Sequence, residues 1–248
     1  MASTPASDVQ ARRRTPAWWA LMGAIVFLVA YLSVSFVGGA LSDRSLPLPD
    51  APAADVAAYY SANLAAAVVV ALLQAVSVLG FAGFARAIVR VSTAEPAKAR
   101  LLAGTAGISV MAMLVSCALS LTLAINAASA SSTTVQTLRL GSFYAGGVAN
   151  VATLGLFVLA AASVLARGRF LGAPSRWFGY VAGTLATLSV LSLAFSYATA
   201  LLPIGRILSM VWTVVVAIVL ARGQRPEPEQ SDGTVPQRAW QDGTIHPN

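Results

Sequence analysis

Arg206 is the one ionisable residue set well inside an apolar stretch, because residues 177–205 before it and 207–221 after it carry no charge. A charge held in hydrocarbon is costly, so it marks a function by default: a ligand contact, an ion path or a buried pair. The guanidinium offers five N–H donors and stays ionised. Its helix places it about one turn inside a membrane boundary, where a long side chain can also bend back to the headgroups. The carboxylates expected on that side are Asp43, Asp50 and Asp55. Snorkelling anchor, ion pair with one of those acids, and ligand contact all stay open at this point.

The remaining polar groups inside apolar stretches are amides and hydroxyls. Helical spacing puts Asn63, Ala67 and Gln74 on one face, Thr105, Ser109, Ser116 and Ser120 on a second, and Ser142, Gly146, Asn150 and Thr153 on a third. A fourth face carries Ala182, Ala186, Ser189, Ser192, Ser196 and Thr199. Small residues at this spacing allow close helix packing, with hydroxyls and amides bonding across the contact. The same residues could line a polar cavity. Asn63, Gln74, Asn150 and Arg206 are therefore the candidate binding residues, with Gln74 and Asn150 as the principal amides.

Other chemistry is excluded more firmly. No Asp or Glu falls within an expected span, which removes a carboxylate proton relay and two-carboxylate acid-base catalysis there. His246 is the only histidine and Cys117 the only cysteine, so no metal cluster or intrachain disulfide is expected. No cofactor is expected either. The stretch Gly107 to Val110 is superficially similar to the serine motif of rhomboid proteases, yet no histidine follows in a later span. Neither a zinc-protease H-E-x-x-H nor a phosphate-binding G-x-x-x-x-G-K-[ST] occurs. A non-enzymatic protein is expected.

The elements that must position these groups follow from composition. Of 248 residues, 57% are hydrophobic and only 10% charged, against about 25% charged in soluble domains. The charge-free runs 15–42, 56–85, 101–138, 140–166, 177–205 and 207–221 predict an all-α polytopic membrane protein, a bundle of six transmembrane helices. The expected spans are 18–39, 60–88, 101–125, 143–165, 177–198 and 203–221. An N-terminal tail, 1–16, precedes the 17–222 membrane domain, and a Pro-rich polar tail, 223–248, follows it as a disordered segment. A signal peptide ending near Gly38-Gly39-Ala40 is the rival for the first span, but its apolar stretch is about twice the usual 7–15 residues. Between spans, Pro47, Pro49 and Pro52 predict extended chain, then a helix begun near Asp55 that runs on into the second span; residues 126–137 read as a polar loop. Arg167-Gly168 and Arg222-Gly223 read as helix stops with glycine in the left-handed region.

Every Lys and Arg except Arg44, Arg139 and Arg206 falls on one side of this layout. By the positive-inside rule that side is cytoplasmic, which places both termini inside the cell and the chain in the inner membrane. The net charge of +7 is then directed at anionic lipid on the inner surface and not at nucleic acid.

Three stretches carry a resemblance: D-A-P-A-A-D-V-A-A-Y-Y-S-A-N from Asp50, F-L-G-A-P-S-R-W-F-G-Y-V-A-G from Phe170, and the last span with its single Trp212. Over residues 15–222 the chain resembles a family of uncharacterised six-pass bacterial integral membrane proteins, known as a domain of unknown function. That likeness implies the six-helix layout and no activity. The leading expectation is a structural or accessory component of the cytoplasmic membrane that meets a membrane-protein partner. A transporter or channel-like protein for a small neutral or amphiphilic solute is the alternative.

Overall fold

The computed structural model describes residues 6–42, 47, 51–91, 96–195 and 199–223, and side chains from Trp18 onward. The expected C-terminal tail from residue 224, and Asp43 and Asp50 of the first long connection, lie outside the described residues. Among the described residues every regular element is helical: α1 (Ala6–Leu41), α2 (Ala53–Ala62), α3 (Leu64–Val91), α4 (Pro96–Asn126), α5 (Ser132–Ser142), a π-helical segment (Phe143–Ala149), α6 (Asn150–Arg167), α7 (Ala173–Leu188), a 3₁₀ segment (Ser189–Leu193) and α8 (Leu201–Ala221).

Five helical stretches among the described residues are long and apolar enough to cross a membrane: Trp18–Leu41, Leu64–Val91, Pro96–Asn126, Ser132–Arg167 and Leu201–Ala221. The expected span 177–198 is not among them. Its α-helix stops at Leu188 and continues only as five residues of 3₁₀ helix. A serine causes the change locally, since Ser189 Oγ donates to Ala186 O at 2.6 Å and draws the chain into tighter turns.

Three other expectations change. The second span does not run on from the Asp55 helix; Asn63, at φ −123° and ψ 39°, breaks the chain between α2 and α3. The predicted polar loop 126–137 is largely helix, because Ser131 caps α5 by accepting from Thr134 N–H at 3.2 Å. Hydrophobic periodicity missed this helix because its apolar face is short, Val135 and Leu138 among polar neighbours, although the Ser-Ser-Thr-Thr run is itself a start signal. At the end of α6 the left-handed residue is Arg169, at φ 56°, and not Gly168; the Gly223 expectation holds, at φ 63°. Gly168 is needed there for space, since a Cβ would sit 2.7 Å from the Phe170 ring.

The long helices pack in a closed order, α1 on α3, α3 on α4, α4 on α6, α6 on α7, α7 on α8, and α8 back on α1. The contact of α1 with α3 is backbone on backbone: a Cβ on Gly23 would lie 2.6 Å from Gly80 O, and one on Gly80 would lie 2.7 Å from Phe27 N. Ser77 Oγ donates to Phe27 O at 2.7 Å in the same seam. In the middle, Phe81 packs on Phe27 and Phe157 with ring centroids 5.2 and 5.1 Å apart. Trp212 is fully buried and donates to Ser175 O at 3.0 Å, tying α8 to the start of α7. At one end α2 lies across α4 and α5, with Val56, Tyr60, Leu123 and Val135 buried between them.

Besides its apolar core, the bundle buries several polar residues and exposes many large apolar ones. Ser109, Asn150 and Thr213 are inside, whereas Leu72, Leu79, Ile108, Met111 and Val115 face outward. Water would favour the reverse, and lipid permits this arrangement, so the fold reads as that of a membrane protein.

Candidate functional site

Between α1, α3, α4, the π segment and α8, at the end covered by α2, lies a partly open cavity of about 900 Å³. Gln74, Ser116, Ser120, Arg139 and Arg206 supply its polar lining, with Tyr31, Tyr59 and Tyr60 adding phenols. Val34, Ala67, Val70, Met113 and Leu202 form an apolar wall. No Asp or Glu lines it among the described residues.

Arg206 comes from the second turn of α8, following Pro203 and flanked by Gly205, whose own Cβ would lie 2.5 Å from Ala186 Cα. The helix is thereby pressed against α7 and the arginine stem is directed into the bundle. Only 9% of the residue is exposed, so the snorkelling expectation is corrected. Nη2 donates to Gly146 O and to Asn150 Oδ1, the latter at 3.0 Å, and Nη1 donates to Tyr31 Oη at 3.3 Å. The Tyr31 ring centroid lies 5.2 Å from the guanidinium carbon, a cation-π distance. Nε is buried without a hydrogen-bond partner. Of the three acids named for an ion pair, Asp55 makes none with Arg206 and the other two lie outside the described residues.

The π segment makes this contact. Asn150 N–H bonds to Ala145 O, five residues back, where an ordinary helix would bond four back. Such bulges often sit at functional positions, and Gly146-Gly147, weak helix formers, fall inside this one. Gly146 also lets α4 approach, for its Cβ would lie 2.6 Å from Ser116 Cβ. Across that approach Ser116 Oγ donates to Ser142 O at 2.8 Å, and the Ser120 and Ser142 hydroxyls are 2.7 Å apart.

The four predicted binding residues separate. Gln74 and Arg206 line the cavity together. Asn150 stands behind it in the packed core, its Nδ2 donating to Ser109 O and Oγ, both at 2.9 Å, while its Oδ1 orients Arg206. Asn63 does not line the cavity; its Nδ2 closes the end of α2 by donating to Tyr59 O at 2.9 Å. The polar face predicted for the third span proves to be the side of α4 that meets Ser142 and Asn150. Thr153, from the next face, bonds back only to its own helix, to Ala149 O and Asn150 O.

Sequence reasoning missed Arg139 and Tyr31 as lining groups. Arg139 had a signal, being the only charge between residues 101 and 166. Its Nη2 donates to Pro47 O at 2.6 Å and its Nη1 to Tyr60 Oη at 3.5 Å, while its Nε, like that of Arg206, is buried without a partner. Burial pushes the Tyr60 phenol above its usual pKa, with Arg139 opposing, so it stays protonated at neutral pH. Among the described residues no group of His, Cys, Asp or Glu is arranged to hold a metal ion. The cavity can donate hydrogen bonds and positive charge to something with an apolar part. Comparison with protein-family models, with curated proteins and with solved structures finds no match for this chain.

Proposed function

We propose that this is a non-enzymatic integral protein of the cytoplasmic membrane, crossing it six times with both termini in the cytoplasm, that takes a small amphiphilic solute into its cavity as a transporter or carrier would. The cavity carries this reading, because it joins polar donors to an apolar wall within one volume large enough for a ligand of modest size. The six crossings are supported by length: residues 177–188 of α7 at ~1.5 Å each and five of 3₁₀ helix at ~2.0 Å each together span about 28 Å, close to the ~30 Å hydrocarbon core. They are supported too by the one-sided Lys and Arg distribution. In this orientation α2 and α5 lie on the outer face and the cavity occupies the outer half of the bilayer.

A structural or accessory role, with an unidentified membrane-protein partner, is the second reading. The packed Asn150 to Ser109 contact favours it, as polar groups there serve helix assembly.

Accessibility separates the two. In a Cys117→Ala background, Gln74→Cys should react with a membrane-impermeant thiol reagent applied from outside, and Asn150→Cys should not. Equal silence at both positions, with a Ser129→Cys control labelled, would overturn the cavity reading.

A further inference from the structure

Two guanidinium groups share this cavity, and among the described residues nothing of opposite charge faces either one. Arg206 makes three hydrogen bonds, all to neutral oxygens, from a side chain that is nine-tenths buried. Neutral partners satisfy donors but leave the charge uncompensated, and an uncompensated cation in hydrocarbon is strongly disfavoured. Its Nε–H and one Nη1–H remain unused of the five donors the group presents. Arg139 repeats the pattern beside α2, bonding a phenol and a carbonyl and keeping its own Nε–H unpartnered. Gly146, which holds Arg206, stands seven residues beyond Arg139, so the two arginines are anchored about two helical turns apart along the same stretch of chain.

We infer that the cavity binds an anionic amphiphile, an oxyanion of the phosphate class being held by Arg206 and Arg139 while its hydrocarbon lies along Val34, Val70 and Leu202. This deepens the proposed solute-binding reading and rests on it. A cationic or purely neutral solute would leave the two charges as they are; an oxyanion uses both the fork of donors and the charge. Ser116 and Ser120 add hydroxyl donors on the α4 side, and the apolar wall distinguishes a lipid-borne headgroup from a free ion.

The test uses the full chain purified in an uncharged detergent, with thermal unfolding as readout and three probes: dioleoyl phosphatidic acid, dioleoylglycerol and inorganic phosphate. Phosphatidic acid should raise the melting temperature saturably, and Arg139→Gln should weaken its half-saturation about tenfold or more. Arg206→Lys, which keeps the charge while losing the fork, should weaken it comparably; Arg100→Gln, exposed at the far end, should not. Arg139→Gln, at a less buried arginine than Arg206, keeps the result readable if changes at Arg206 prevent assembly. Stabilisation by inorganic phosphate at the same concentration as by the lipid would support the guanidinium site and assign its source to the free ion. Equal stabilisation by dioleoylglycerol would overturn the anion while leaving the cavity reading intact. A response that appears only in Asp43→Asn/Asp50→Asn would show that the chain's own carboxylates neutralise the arginines, and would overturn the inference. So would no response to phosphatidic acid in any variant, whatever thiol labelling at position 74 shows.

Discussion

Asn150 joins two roles that one amide can hold at once, donating to Ser109 and accepting from Arg206. Replacing it by Leu removes one acceptor of a buried cation and the amide donor to Ser109, whose hydroxyl keeps its own bond to the backbone carbonyl of residue 150. The loss should be about 1–3 kcal/mol, read as a lowered midpoint in denaturant unfolding of the detergent-solubilised protein. Thr153→Ala, on the same helix and bonded only to its own backbone, should stay within about 0.5 kcal/mol of wild type. At this scale the sequence was informative about residue type and silent about direction. That Arg206 was exceptional followed from its isolation among uncharged neighbours. That it turns inward did not, because its acceptors are a backbone carbonyl in a π segment and the side chains of Asn150 and Tyr31, on other helices.

Helix pairing depends on where backbones can touch. Gly80→Ala would put a methyl 2.7 Å from Phe27 N, where neither helix can give way without moving, whereas Gly104→Ala meets nothing within 4 Å. The first change should destabilise the bundle by about 1–3 kcal/mol, and the second should be neutral or stabilise by up to about 1 kcal/mol. Thermal unfolding of the two variants side by side checks this; equal melting temperatures would remove the close α1 to α3 contact from the account. Spans with continuous apolar character were legible, and the polar face of α4 was placed correctly because its spacing is regular. The breaks were harder. A kink at Asn63, a π segment over Gly146-Gly147 and a 3₁₀ ending after Leu188 each arise from local hydrogen bonds that hydropathy averages away.

For the whole molecule, a bundle with an apolar exterior around a mainly apolar core that also holds hydroxyls, amides and one arginine follows from the solvent it must meet. The helical class and the membrane character were legible in composition alone, since charge is excluded from run after run. A polar-lined cavity was anticipated among the second to fifth spans, but its place was not, because it forms where α1, α3, α4 and α8 come together around the widened π segment, and no one helix encodes that space. Its orientation rests on the crossing number, which α7 with its 3₁₀ extension decides. Paired reporters, one inserted at Ser129 between α4 and α5 and one fused after the C-terminus, measure this directly. The account predicts the first active only outside the membrane and the second only in the cytoplasm. Both reporters on the same side would mean that the α7 to α8 segment does not complete two crossings, and would contradict it.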